Sequence, residues 1–158
     1  QATAALEANQ AASIMGIEKI ICLNYETKKV SYGVDLIEDI NRVVDDIRPD
    51  LIYTHWHGDP NQDHSAIAHA TLIAARNISK ILMYRSNWYR SHLAYDPKMI
   101  VDISGYMDRK VQAIEAHKSE TGKRGTTWIE YFKNHNRNLG IENGIDYAES
   151  FEMIKWLS

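Results

Sequence analysis

Within ten residues, His55 to His64 (HWHGDPNQDH), the chain places three histidines and two aspartates. His55 and His57 are two apart, which on a strand means the same face, a spacing that binds zinc once a third ligand arrives from elsewhere. Asp63 directly precedes His64 at the head of an apolar-periodic stretch. A carboxylate near the second ring nitrogen of a metal-bound histidine commonly fixes its tautomer and orientation, so this pair points to metal chemistry too. The same residues also read as a polar loop in which Asp59 or Asp63 caps the following helix and the histidines hydrogen-bond to backbone. His69, five residues beyond His64, falls more than a right angle away on an ideal helix and is not expected to share a metal.

The elements that must hold this stretch follow from hydrophobic periodicity. ATAALEANQAASIMG spaces Ala and Leu as a helix does and stops at Gly16, and EKIICLNY follows as an apolar strand. VDLIEDINRVVDDIRPD puts Leu36, Ile37, Ile40, Val43, Val44 and Ile47 on one helical face and ends before Pro49. LIYTH is a second strand, DHSAIAHATLIAAR an Ala-rich helix, KILMYRS a third strand and KMIVDIS a fourth. GYMDRKVQAIEAHKSE predicts an amphipathic helix with Met107, Val111, Ala113 and Ile114 inward. TGKRGTTWIEYFKNHNRNLGIENG, rich in Gly and Asn, reads as loop or short helix, and IDYAESFEMIKWL as a closing helix. The alternation predicts an α/β fold, a Rossmann-like, mainly parallel sheet with helices on both faces. The histidine-rich loop then lies beyond the carboxyl end of a strand, where open α/β sheets bind ligands.

Composition narrows the function classes. At 158 residues the chain fits a single domain, 1–158, without needing disulfides. A net charge of -3 and no Lys/Arg run longer than two argue against nucleic acid or an anionic membrane as partner. No stretch reaches the roughly 18 apolar residues of a membrane span, and the amino terminus lacks a signal-peptide pattern, so a cytoplasmic location is expected. Cys22, in the run IICL, is expected to pack as a small buried hydrophobe.

YTHWHGDPNQDHSAIAHATLIAAR resembles the second signature of the PIG-L/LmbE zinc-dependent de-N-acetylases, Y-T-H-x-x-x-D-x-N-x-D-H before an Ala-rich helix. Three more blocks agree in order. EANQAASIMGIEKIICLNY is similar to the family's E-x-x-x-A-A-x-x-L-G-V, IVDISGYMDRKVQAIEAHKSE to its V-D-I-S and K-x-x-A-x-x-x-H-x-S-Q, and NRNLGIENGIDYAESFEMI to R-x-x-G-x-x-x-G-x-x-Y-A-E-A-F. The resemblance, strongest to bacterial sugar deacetylases, implies a Zn2+-dependent hydrolase that removes the N-acetyl group from an N-acetylated sugar or sugar conjugate, in surface-glycan or nucleotide-sugar metabolism. It implies His64 as the metal ligand and Asp63 as the residue that orients the site. Asn61 stands where most members have histidine, and an amide there can donate to an oxyanion but cannot titrate; His57 or His117 is left to supply a proton. For substrate, the resemblance marks Arg137 at the rim, while His57 lies in the loop and Trp88, beside Tyr89, offers an aromatic face to a pyranose. Arg85 and Arg90 could hold a phosphate or carboxylate of an activated sugar. Family members often assemble into rings, which implies a homo-oligomer.

The family's first signature, A-H-P-D-D-E, with two further zinc ligands and the general base, does not occur in these residues. By the resemblance the chain is the carboxyl-terminal two-thirds of a PIG-L/LmbE-like domain, with the amino-terminal strands outside it. The alternatives are a non-catalytic carbohydrate-binding or assembly paralogue that has lost the metal, and a zinc enzyme of unrelated mechanism that uses His55, His57 and His64 together.

Overall fold

The computed structural model describes residues 2–86 and 88–158. Helix α1 (Ala2–Met15) is followed by α2 (Val34–Ile47), β1 (Ile52–His55), α3 (Gln62–Ala74), β2 (Lys80–Tyr84) and β3 (Met99–Asp102). A short 3-10 turn, Ser104–Tyr106, then leads into α4 (Met107–Ala116), α5 (Lys118–Arg124), α6 (Thr126–Glu142) and β4 (Ala148–Trp156). The strands form one open sheet in the order β1-β2-β4-β3. The class is α/β as expected, with β2 parallel to β1 and antiparallel to β4.

The chain divides into two compact units, residues 1–22 with 101–149 and residues 23–100 with 150–158. In the second, α3 lies between β1 and α2. Its buried positions are almost all small, Ala66, Ala68, Ala70, Thr71 and Ala74, and this lets both neighbours approach closely. On the α2 side Leu36 meets Ala66 and Ala70, with Tyr25, Val30, Ile37 and Ile40 around them. On the strand side Trp56, Ala68 and Met83 form a second cluster, against which Leu72 and Tyr95 pack. Thr54 donates to Thr71, which in turn bonds the carbonyl of Ile67, so the buried hydroxyls between β1 and α3 are satisfied.

In the first unit α1 packs on α4. The buried Glu7 carboxylate accepts the Ser119 amide at 2.8 Å and its hydroxyl at 2.6 Å at the start of α5, and these bonds hold the carboxyl below its ordinary value. The Lys110 ammonium donates to Asn136 and pairs with Glu149, while Asn136 donates to the Ala148 carbonyl. Gly140 has a steric reason: a Cβ there would stand 2.6–2.8 Å from the backbone of Asp146 and Tyr147.

Three local expectations are corrected. Residues 121–144 are neither loop nor one short helix: the end of α5 and the 17-residue α6 fill most of them, broken at Gly125, whose φ of +69° belongs to glycine. The many Asn and Gly residues obscured a helix that carries Trp128, Ile129, Tyr131, Phe132 and Leu139 half-buried. The tail is strand β4, not a helix, because pairing with β2 over residues 152–156 satisfies its backbone there. The apolar run EKIICLNY forms no strand. It joins no ladder, turning at its end where the Tyr25 amide donates to the Leu23 carbonyl, and Ile20, Ile21, Leu23 and Cys22 are exposed rather than buried.

Candidate metal centre

Strand β1 ends at His55, and the Trp56 amide extends the ladder once more by donating to the Tyr84 carbonyl at 2.9 Å. The chain then turns tightly, the Asp59 amide returning to the Trp56 carbonyl at 3.1 Å. Trp56 anchors this turn. It is 1% exposed, wedged against Ala68 and Met83 and edge-on to Tyr95. Gly58 lies against the indole so closely that a Cβ would stand 2.4–2.9 Å from three of its ring atoms. A rigid, buried ring cannot yield as a flexible side chain does. Gly58→Ala is therefore expected to cost about 1–3 kcal/mol in urea unfolding and to weaken metal binding as well, since the displaced turn carries Asp59; unchanged stability would mean that the turn moves freely away from the indole.

From this turn the Asp59 side chain, fully buried, reaches toward α3. Its Oδ1 accepts the Asn61 amide at 2.8 Å, and its Oδ2 stands 3.1 Å from His64 Nδ1. His55 completes the group: its ring stacks on that of His64 at 3.9 Å between centroids and 5° between planes. One ligand atom from each of His55, Asp59 and His64 lies within 4.8 Å of the others, the group of this kind found among the described residues. Burial, reinforced by the neighbouring His64, pushes the His55 imidazole down to about 4 against the opposing pull of Asp59. At neutral pH His55 is thus uncharged, with a lone pair to offer.

Two imidazoles and a carboxylate are a donor set that suits Zn2+, and their closeness fits a single divalent ion. An ion cannot lie in two parallel ring planes, so one imidazole must turn about its Cβ–Cγ bond to bind it. Asp59 can act here in either of two ways, by accepting a hydrogen bond from His64 Nδ1–H and orienting the ring, or by sharing an ion with it.

The other sequence candidates fall in different places. Asn61 is the N-cap of α3, its Oδ1 accepting the Asp63 amide at 2.9 Å, which leaves Nδ2 as its donor toward a ligand. Asp63 is buried, but its carboxylate accepts the amides of Lys28 at 2.6 Å and Val30 at 3.3 Å, so it ties the chain before α2 to the start of α3. His57, beyond the end of β1, leaves the alternation that would align it with His55. Its carbonyl accepts the Ser65 hydroxyl and its ring meets His69 edge-on at 6.1 Å, so the metal cluster includes His55 and not His57. Trp88 is half-buried beside Tyr89. Arg85 donates to the Tyr89 carbonyl and Arg137 to Asp146, through its carbonyl and carboxylate, each at 2.7 Å. Asp59 as the carboxylate at His64 was missed as a ligand in sequence. The i, i+5 spacing across a proline is no helical or strand repeat, and only the turn over Trp56 brings the two together.

Residues 2–75 match the family model described as PIG-L, GlcNAc-PI de-N-acetylase. The chain is 30% identical over 122 residues to the uncharacterized deacetylase YaiS of Escherichia coli K12, an alignment that spans 72% of this chain and 64% of that protein. It is 23% identical over 165 residues to the diacetylchitobiose deacetylase of Thermococcus kodakarensis, over 94% of this chain and 61% of that one. The conserved protein TT1542 of Thermus thermophilus superposes with a TM-score of 0.88 at 19% identity, over 99% of this chain and 75% of that structure. The chain thus spans less than two thirds of the length of these two curated relatives. The matched residues run from α1 through the whole HWHGDPNQDH loop and α3, and with the likeness in fold they mean that the chain belongs to the PIG-L/LmbE deacetylase family.

Proposed function

We propose that the chain is part of a zinc-dependent hydrolase that removes the acetyl group from an N-acetylated sugar or sugar conjugate. The observation that carries this reading is the convergence of His55, Asp59 and His64 beyond the carboxyl end of β1, in a chain whose relatives include sugar deacetylases. His64, with His55 and Asp59 beside it, would hold the ion. Zinc in such a setting polarises an amide carbonyl and brings the pKa of water towards neutrality. The chain's own residues then have distinct tasks. Asp59 supplies negative charge and fixes the His64 ring. Asp63 keeps α3 in register with the loop that precedes α2. Asn61, at the tip of α3, donates from Nδ2 to the oxyanion formed when the carbonyl is attacked, helped by the positive end of the helix. His57 and Trp88 are assigned to binding the sugar.

Acetate release from N-acetylglucosamine conjugates by the full-length protein tests the reading. Activity should disappear on chelation and return with Zn2+; turnover indifferent to a chelator that demonstrably strips the metal would refute it. Asn61 can be tested separately from its role as a cap. Asn61→Asp keeps an acceptor for the Asp63 amide but removes the donor, so the fold should persist while kcat falls about 100- to 1000-fold, the usual cost of one oxyanion donor. KM should change little. A parallel loss in sugar binding would assign Asn61 to the substrate instead.

A further inference from the structure

After β2 the chain reads RSNWYRSH over residues 85–92, with two arginines and no acid, in a protein where acidic residues outnumber basic ones by 21 to 18. Each arginine directly precedes a serine, and both serines are bonded to the loop of the metal cluster. Ser86 Oγ stands 3.2–3.4 Å from His55, Asp59 and His64, and Ser91 Oγ donates to the Gly58 carbonyl at 2.7 Å. The segment is thus pinned at two points to the metal loop, within one compact unit. Between the pins Arg85 turns back and donates through Nη2 to the Tyr89 carbonyl at 2.7 Å, the carbonyl of the peptide that joins Tyr89 to Arg90. This sets one half-buried guanidinium beside the residue that carries the second, and Arg90 is exposed and enters no ion pair among the described residues. Two like charges held in one short segment repel, and a peptide carbonyl takes only one of the five donors of Arg85. An anion bound between them removes the repulsion and uses the donors that remain. Trp88 and Tyr89 lie between the two arginines, their rings edge-on at 6.0 Å.

From this we infer that Arg85 and Arg90 are a phosphate-binding pair at the rim of the site, and that the substrate is an N-acetylated sugar carrying a phosphate ester or diphosphate. The inference rests on the hydrolase reading and narrows its substrate. The pair favours phosphate over carboxylate. A carboxylate presents two oxygens in one plane, which a single guanidinium satisfies, whereas a phosphate presents three and accepts two guanidinium groups from different sides. With Trp88 against the pyranose, the phosphate belongs on that ring or on the group joined to it.

The experiment measures acetate release by the full-length protein from N-acetylglucosamine 1-phosphate, its uridine diphosphate conjugate and its dodecyl phosphodiester, each against the neutral methyl glycoside. At least one phosphate-bearing substrate should exceed the methyl glycoside about 10- to 100-fold in kcat/KM, chiefly through KM. Preference for the uridine diphosphate conjugate would name a nucleotide carrier, and preference for the dodecyl ester a lipid one; each bears the inference out. Arg85→Gln and Arg90→Gln should each cut the preference about tenfold. Arg90 makes no bond within the described residues, so Arg90→Gln should unfold at the parent's urea concentration even if the Arg85 variant fails to fold. Phosphate also binds zinc, so a second measurement removes the metal. By titration calorimetry the chelated protein should still bind N-acetylglucosamine 1-phosphate about tenfold or more tightly than the methyl glycoside, a difference that Arg90→Gln erases. Equal turnover of neutral and phosphate-bearing substrates would overturn the inference while leaving the hydrolase reading standing. A preference that survives Arg90→Gln, or that disappears from binding once the zinc is stripped, would overturn it as well. Acetate from none of the four would sink the hydrolase reading instead, and the calorimetry would still decide the arginine pair.

Discussion

Asp59→Asn is expected to bind Zn2+ about 100-fold more weakly than the parent, or worse, while unfolding at nearly the same urea concentration. The amide has the shape of the carboxylate, and its Oδ1 can still accept the Asn61 backbone amide that Asp59 accepts at 2.8 Å. What it lacks is the negative charge facing His64 at 3.1 Å from a fully buried position. Groups that only orient a metal ligand are worth 10- to 100-fold in affinity, so a carboxylate that meets the ion itself should stand at or above the top of that range. The comparison with Asp63→Asn separates the two aspartates. Asp63 receives the amides of Lys28 and Val30, and replacing one of its oxygens by an NH2 sets donor against donor in a buried place. That variant should lose about 1–3 kcal/mol of stability and retain most of its zinc affinity when folded. Isothermal titration of both proteins after chelation decides the matter. Equal zinc affinity for Asp59→Asn and the parent would put the ion elsewhere, and a greater loss in Asp63→Asn would return the orienting role to that residue.

Much of this arrangement could be read before any coordinates. Periodicity found α2, β1, α3, β2 and α4, because each buries one face against a partner and its spacing records that face. It also put the histidine-rich loop at the end of a strand and the head of a helix, and the resemblance chose His64. Other features were hidden for physical reasons. Strand β4 is stabilised by backbone pairing with β2, far away in the chain, and its side chains suit a helix equally well. Helix α6 is rich in Asn, which reads locally as turn, yet Asn136 is buried and donates to the Ala148 carbonyl at 2.6 Å. His55 and His57 look equivalent two apart, but the strand stops between them, and one turn of the backbone sends His57 to His69. Ser86, whose hydroxyl stands 3.2–3.4 Å from His55, Asp59 and His64, carries no sequence signal at all, being a serine after an apolar strand; only β1 and β2 lying side by side, with His55 opposite Tyr84, bring it to the cluster.

Trp56→Ala should be the most damaging single change to stability in this part of the molecule, costing about 3–5 kcal/mol, as is usual when a buried tryptophan is truncated. Set against the roughly 5–15 kcal/mol that holds a typical domain together, this is a large share. The ring is 1% exposed and fills the space between β2 and α3, which the surrounding alanines cannot close by rotating, since Ala68 has no further atoms to move in. The indole is not ideal where it stands, for its Nε1 is buried with no acceptor among the described residues. Trp56→Phe removes that N–H along with part of the ring. It forfeits some packing, gives back the cost of an unmatched donor, and should therefore destabilise by much less than the alanine variant. Phenylalanine would also relieve the pressure on Gly58, so the double variant Trp56→Phe, Gly58→Ala should be more stable than the sum of the two single losses predicts, the coupling expected of residues in direct contact. Urea unfolding of the four proteins completes the cycle. Strict additivity would mean that Gly58 is needed for its backbone alone; a positive coupling, together with zinc affinity regained in the double variant, would tie the metal site to the indole on which its turn is built.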